Sequence, residues 1–397
     1  MIARLVRNCG DSSARSSNVC EGYGVIKRDS LLSEIEARMP QGVLSRRPDN
    51  RRATAELIGA VSLIWGSWAA LVFAPLPGIG RAVLAVVLGA SLAHGLLLGH
   101  NANHGAMFSS VWVGRIASFA MSGMAVCAPT YRQRHTRRHH SHRDDTSLAD
   151  DLVSALMRFS PHHPLRRHHR FQHLYVWPLL SIYYVNIWIV DLRFLFTGRD
   201  GRQQIESPTL RRAAIFVPPK LIVTAVLLVI PLTRFSWTSV ACLGAISMGV
   251  AGMTVGVLNL IGHASELNRV PVLDPSTPPA DARVLRILAV AADLSPDRRV
   301  TRWFLGQAHG VHVAHHLWPR LSPHALYPAT VSLRTTCAEL GLEYHSYPSI
   351  ASGMRSVVAY LKLMGRPDAT PAWIPLHQVT LKKVRTSRPY IAVVSRF

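Results

Sequence analysis

The run LIGAVSLIWGSWAALVFAPL, Leu57 to Leu76, carries no charged side chain. It is long enough to cross a bilayer as a helix, which takes roughly 20 residues. In hydrocarbon every backbone N–H and C=O must be satisfied within the segment, so such a run folds as a helix or not at all. A short Pro/Gly turn, PGIGR, follows, and AVLAVVLGASLAHGLLLG (Ala82–Gly99) completes a helical hairpin. A second hairpin is predicted from AAIFVPPKLIVTAVLLVIPL (Ala213–Leu232) and WTSVACLGAISMGVAGMTVGVLNL (Trp237–Leu260). Pro218, Pro219 and Lys220 interrupt its first limb, and Lys220 is expected to snorkel toward the near interface. Val111–Ala128 and Leu174–Val190 are apolar but short or charge-limited. They are expected to lie in the interface or beneath the site without crossing.

Charge orients these spans. The chain is 49% hydrophobic yet has a formal net charge of +22, a combination rare in a soluble protein. Each hairpin tip carries one arginine, Arg81 or Arg234, and the other segments hold nearly all remaining Lys and Arg. The positive-inside rule therefore places both tips outside and the N-terminus, central loop and C-terminal third in the cytoplasm. No nucleic-acid module accompanies the basic balance, so its partners are expected to be anionic headgroups or an acidic protein. Cys9, Cys20, Cys127, Cys242 and Cys337 are scattered and contain no C-x-x-C pair, which disfavours a disulfide framework or zinc ribbon. The N-terminus has no apolar h-region, so no signal peptide is expected. The division that follows is a basic, partly disordered arm (1–54), a membrane domain with a cytosolic cap (55–345) and a basic cytosolic tail (346–397).

Histidines collect where the spans meet the cytoplasm. HNANH places His100 and His104 at i and i+4, on one helical face. HTRRHH supplies His135, His139 and His140; NLIGH supplies Asn259 and His263; HVAHHLWP supplies His312, His315 and His316. One such pair means little, and His94, alone inside a span, reads as a satisfied core residue. Four clusters remote in sequence but on one side of the membrane point to a shared site. Their imidazoles are too many for one zinc, which is full with four ligands, and suit two ions. Ligand type leaves iron, copper, zinc and nickel open. Asp144, Asp145, Asp150 and Asp151 are either partners for ring N–H groups or salt-bridge acceptors for nearby arginines.

HNANHGAMFS, HTRRHH, RFQHLYVWPL and HVAHHLWP, in that order between about Leu57 and Pro323, resemble the membrane fatty acid desaturases, specifically their bacterial linoleoyl-CoA and front-end (delta-5/delta-6-like) branch. The resemblance implies an all-α integral membrane fold: four transmembrane helices in two hairpins, a cytosolic helical cap and a non-haem di-iron centre. It implies O2-dependent desaturation of a lipid acyl chain. The metal ligands carried over are His100, His104, His135, His139, His140, His263, His312, His315 and His316, with Asn259 holding a metal-bound water. No H-P-G-G cytochrome b5 motif occurs in the chain, so a ferredoxin-like or other separate electron donor is implied. The boxes depart from the family pattern at Asn101, usually acidic, at His312, usually Gln in this branch, at SHRDD after the second box, and at QAHG, which adds His309. His142 and His309 are expected to be supporting or surface residues. His173 has no ligand role, and SPHHPLRRHHR (from Ser160) is expected at the surface. Two alternatives remain: a di-iron hydroxylase or oxidase of a carrier-bound or non-lipid substrate, and a membrane metal-binding or transport protein, which the nearly uncharged spans disfavour.

Overall fold

The computed structural model describes residues 30–140, 156–161, 163–200, 203–205, 207, 210–268 and 277–369. His142, His162, Asp144, Asp145, Asp150 and Asp151 lie outside them, as do residues 1–29 and 370–397.

Four helices have the length and apolarity of membrane spans: α2 (Asn50–Phe73), α3 (Gly78–Asn103), α8 (Leu210–Leu232) and α9 (Trp237–His263). These are the two expected hairpins, each a few residues longer at the end away from its tip. Helix α3 is the centre, with 67% of its most apolar window buried, whereas α8 has 11% buried and presents most of its surface outward. The axis of the bundle is the contact between α3 and α9. A side chain at Gly89 would collide with the Ser247 backbone carbonyl, so only glycine admits this approach. Ser247 Oγ donates to the Ala85 carbonyl at 2.9 Å across the same interface, satisfying polar groups that lipid could not.

Of the two ambiguous stretches, the first is too short for a span, and the second belongs to a bent helix pair that is long and apolar enough to cross only if both helices are taken together. Helix α4 (Val111–Met121) has 11 residues, roughly 16 Å of helix against roughly 30 Å of hydrocarbon. It buries Gly114, Ala117 and Ser118 and exposes Val111, Trp112 and Ile116, as expected for a helix lying in the interface. Leu174–Val190 falls across α6 (Gln172–Ser181) and α7 (Tyr183–Thr197), which meet at a bend of 67°.

The cap is built from small elements around one core. Helix α1 (Leu31–Ala37) lies within the stretch expected as an arm. Leu31 and Ile35 are buried in a cluster with Ile287 of α10 (Pro279–Val290), Leu317 of α12 (His312–Leu317) and Leu333 of α13 (Pro323–Leu340). The packed body also runs past residue 345. Asp293–Leu294 pairs in parallel with Ser346–Tyr347, and α14 (Ile350–Met364) buries Val357 and Leu361 against Ile261 of α9 and Val176 of α6.

Lys220 does not snorkel. It is 1% exposed and pairs at 2.9 Å with Asp191 of α7, which is 0% exposed. Its ammonium also donates to the Ala125 carbonyl at 3.1 Å and sits over the Trp188 ring. A buried carboxylate within reach makes the interior cheaper for the ammonium than a stretch to the headgroups.

Candidate metal centre

Each functional side chain is placed by a helix end. The last turn of α3 puts His100 and His104 side by side, ring centroids 4.8 Å apart. After α4, the short helix α5 (Ala128–Tyr131) continues directly into a π-helix, Arg132–His139. Its wider turn is closed by His140 N–H to the His135 carbonyl at 3.0 Å. That winding brings His135 and His140 together at i and i+5, with Nε2 atoms 3.0 Å apart. Helix α9 ends on His263, and α12 carries His312, His315 and His316, all three buried.

The imidazoles resolve into two groups: His100, His104, His135 and His315, and His139, His263, His312 and His316. Within each group the candidate ligand nitrogens lie within 4.8 Å of one another. His135 and His139, four residues apart, fall in different groups although their ring centroids are 4.7 Å apart. His140 belongs to neither and lies between them, its ring 4.8 Å from His104 and 4.5 Å from His316. The Asn259 amide donates to the Tyr183 hydroxyl at 3.1 Å. His94 is a buried core residue, with Nδ1 donating to the Phe304 carbonyl at 2.8 Å, but its Nε2 is buried without a hydrogen-bond partner, so the expected full satisfaction is not met. His309 is not at the surface: it is 9% exposed and its ring lies 4.6 Å from that of His100.

The donor set fits divalent metal ions. His312 Nε2 meets His263 Nε2 at 2.8 Å and His316 Nε2 at 3.0 Å; His100 Nε2 meets His315 Nε2 at 3.0 Å. Shared protons cannot satisfy so many converging lone pairs, whereas a cation at the centre of each group satisfies all of them. Around a tetrahedral metal with nitrogens at about 2.05 Å the ligands stand roughly 3.3 Å apart, close to these separations. His104 Nε2 is buried with no hydrogen-bond partner, as a nitrogen reserved for a metal would be. The groups are also electrically prepared. Burial, reinforced by neighbouring imidazoles, holds His135, His312, His315 and His316 well below the usual histidine range, and burial holds His104 down to about 3. All are therefore neutral, ligand-ready bases at pH 7.

Three orienting residues carry no sequence signal of their own. The Tyr131 hydroxyl lies 3.1 Å from His100 Nδ1, on the side away from the group. With Nε2 turned inward, Nδ1–H donates to that oxygen. Asn268 Nδ2 donates to the Gly262 and Val290 carbonyls, both at 3.0 Å, and His263 Nδ1 donates to Val290 at 3.2 Å. Asp293 accepts from Val313 N–H at 3.0 Å and from the Tyr344 hydroxyl at 2.5 Å, fixing the start of the helix that carries His312. Burial pushes Asp293 up to about 7 despite these donors.

Apolar spans joined to two histidine groups that could each hold a metal ion are the features of a membrane-embedded metal oxidoreductase. The fatty acid desaturase family model matches residues 77–348, and the chain belongs to that family. It is similar to the sn-1 linoleoyl-lipid 6-desaturase of Arthrospira platensis, 26% identical over 91% of this chain and 98% of that one. The sn-1 linoleoyl-lipid 6-desaturase of Synechocystis sp. is 24% identical over 85% of this chain and 95% of that one. An acyl-lipid (8-3)-desaturase of Physcomitrium patens is 24% identical over 68% of this chain and 57% of that one. The protein is accordingly an oxidoreductase of lipid acyl chains.

Proposed function

We propose that the protein introduces a double bond into the acyl chain of a membrane lipid, with O2 as oxidant and two iron ions as resident metals. One iron is held by His100, His104, His135 and His315, the other by His139, His263, His312 and His316. His140 would complete the set, and Asn259, whose amide donates to the Tyr183 hydroxyl, would support a water at the metal site. The observation that carries this reading is the pair of imidazole groups gathered at the ends of apolar helices. When bound, the metals supply O2 activation and the oxidising power to remove two hydrogens from adjacent CH2 groups.

The remaining work belongs to the chain. Neutral imidazoles would leave the charge of bound metal ions uncompensated, which would favour the binding of oxygen-derived anions. Tyr131 and the Val290 carbonyl hold the tautomers of His100 and His263, so each presents Nε2 inward. Burial of His100, His312, His315 and His316 excludes bulk water from the reacting space. The spans keep the acyl chain in hydrocarbon up to the site and position it for attack. Electrons come from a separate donor, ferredoxin-like in surface chemistry. The exposed basic face of Arg166, Arg167, Arg170, Lys362 and Arg366 suits an acidic one. The protein sits multi-pass in the inner or plasma membrane, with its termini and metals on the cytoplasmic side.

The test is expression in a host of defined lipid composition with a working redox partner, beside a His139→Ala control. Mass spectrometry of the fatty acids should show a product two hydrogens lighter that the control lacks. A product heavier by one oxygen would move the reading to hydroxylation. An unchanged lipid profile would reject lipid acyl chains as substrate.

A further inference from the structure

His309 has no part in the two groups just described, yet it is built into their surroundings. Its ring lies 4.6 Å from that of His100, in the first group, and 5.8 Å from that of His312, in the second. The first distance falls within the 4.5–4.9 Å that separate His100 from its own partners His104, His135 and His315. The carbonyl of Leu305 is beside the ring, but Nδ1 is buried without a hydrogen bond of normal geometry. A buried imidazole nitrogen without a hydrogen-bond partner costs roughly 1–3 kcal/mol, so a small ligand that reached this ring would be favoured by that amount.

The loop that carries His309 is held with unusual care. Gln307 has φ +64°, a left-handed backbone that a side-chain-bearing residue rarely adopts. Two side chains from α3 clamp the same loop. His94 Nδ1 donates to the Phe304 carbonyl at 2.8 Å, and Asn101 Nδ2 donates to the Gly306 carbonyl at 2.6 Å. An amide can make that second bond; a carboxylate would face the carbonyl oxygen as a repelling charge. Asn101 and His309 are two of the positions where the histidine boxes were unusual. Here they form one device, since Asn101 fixes a peptide three residues before His309 and is itself 2% exposed.

We propose that His309 is a tenth imidazole of the centre that does not ligate the metals but hydrogen-bonds a small ligand bound between them, with Asn101 as the positioning residue that holds its loop. The inference rests on the two-metal reading above. The chemical class it recognises is a small anion or polar diatomic that has entered the metal pocket. His309 adds directionality that the metals alone do not supply, because they attract any anion equally.

The test uses azide as the small ligand. The full chain, loaded with iron and oxidised, is titrated with sodium azide while the visible charge-transfer band is followed. Iron per chain is measured on the same samples. His309→Leu should keep two irons and bind azide about tenfold more weakly or worse, the loss expected for a hydrogen bond to a charged group. His309→Gln, which retains a donor, should recover most of the affinity. Asn101→Asp, nearly isosteric but unable to donate to Gly306, should weaken azide in the same direction with iron retained, and it stands in should His309→Leu not fold. Azide binding to His309→Leu at wild-type strength would overturn the proposal. So would a fall in iron content in that variant, which would make His309 a ligand. If the unaltered protein takes up no iron, the two-metal reading itself fails, a result distinct from either.

Discussion

Gly262 offers a sharp test of how the second histidine group is held. It precedes His263 on α9, and a Cβ placed there would stand 3.1 Å from both Cδ2 and Nε2 of His312. Ordinary carbon contacts are about 3.5–4.0 Å, so in Gly262→Ala the His312 ring must retreat by roughly 0.4 Å to reach even the near end of that range. The backbone cannot yield instead, because the Gly262 carbonyl is pinned by Asn268 Nδ2 at 3.0 Å and by Ala292 N–H at 3.2 Å. Metal–ligand distances tolerate about 0.2 Å. A displacement of this size at Nε2 should weaken metal binding by the second group about 10- to 100-fold, the usual cost of a disturbed ligand orientation. The first group should be untouched, since Gly262 approaches none of His100, His104, His135 or His315. Alanine is also about 1 kcal/mol better than glycine inside a helix, so a loss of metal could not be ascribed to a weakened fold. The assay is competition with a chromophoric chelator, counting zinc or ferrous ions per chain. Two sites of unaltered affinity in Gly262→Ala would refute the reasoning, and so would selective loss of the first site.

Three further outcomes are expected. Lys220→Met leaves the Asp191 charge buried with only neutral donors of Cys127 beside it among the described residues and should destabilise the membrane body by about 3–5 kcal/mol, while Lys220→Met/Asp191→Asn, which keeps that acceptor without the charge, should regain most of it; chemical denaturation in detergent measures both, and no gain in the double variant would contradict the pairing. Tyr131→Phe removes the acceptor for His100 Nδ1–H and should lower metal affinity of the first group alone by about 10-fold or more; equal losses at both sites would argue against that role. In the metal-free protein, burial holds His104 down to about 3 and His309 to about 4, so below the unfolded value of 6.5 the unfolded chain binds protons that the folded chain cannot. Stability should therefore fall as pH drops from about 6.5 toward 4, by about 1.4 kcal/mol per pH unit for each such group, and denaturant midpoints independent of pH across that window would refute it.

The spans were legible because their cause is local. A run of apolar residues must satisfy its own backbone in lipid, so length and composition alone announce α2, α3, α8 and α9. The histidines were legible for a related reason: each sits at the end of such a helix, and helix ends on one side of a membrane can converge. How they divide was not legible. The partition of His135 and His139 depends on a π-helical turn, and RQRHTRRH contains nothing that distinguishes i+5 from i+4 winding. Lys220 failed for want of its partner. Asp191 lies on another helix, in a stretch read as ending at Val190, and a lone lysine in a span invites the interface unless a carboxylate is known to be near.

The same limit explains why Asn101 and His309 looked like independent oddities. They are more than two hundred positions apart, and each alone has an ordinary meaning: an amide at a helix end, a histidine before a histidine box. Their connection is a single hydrogen bond, Asn101 Nδ2 to the Gly306 carbonyl, made possible because α3 packs against the loop after α11 (Arg299–Phe304). Local pattern reports which side chains have the right chemistry. Which of them act together is set by the contact of elements distant in the chain. Where the two disagree, as at a box position that has lost its acid, the mismatch is best followed to whatever the replacement now touches. In this protein it touches the backbone beneath the one imidazole that the ligand count leaves over.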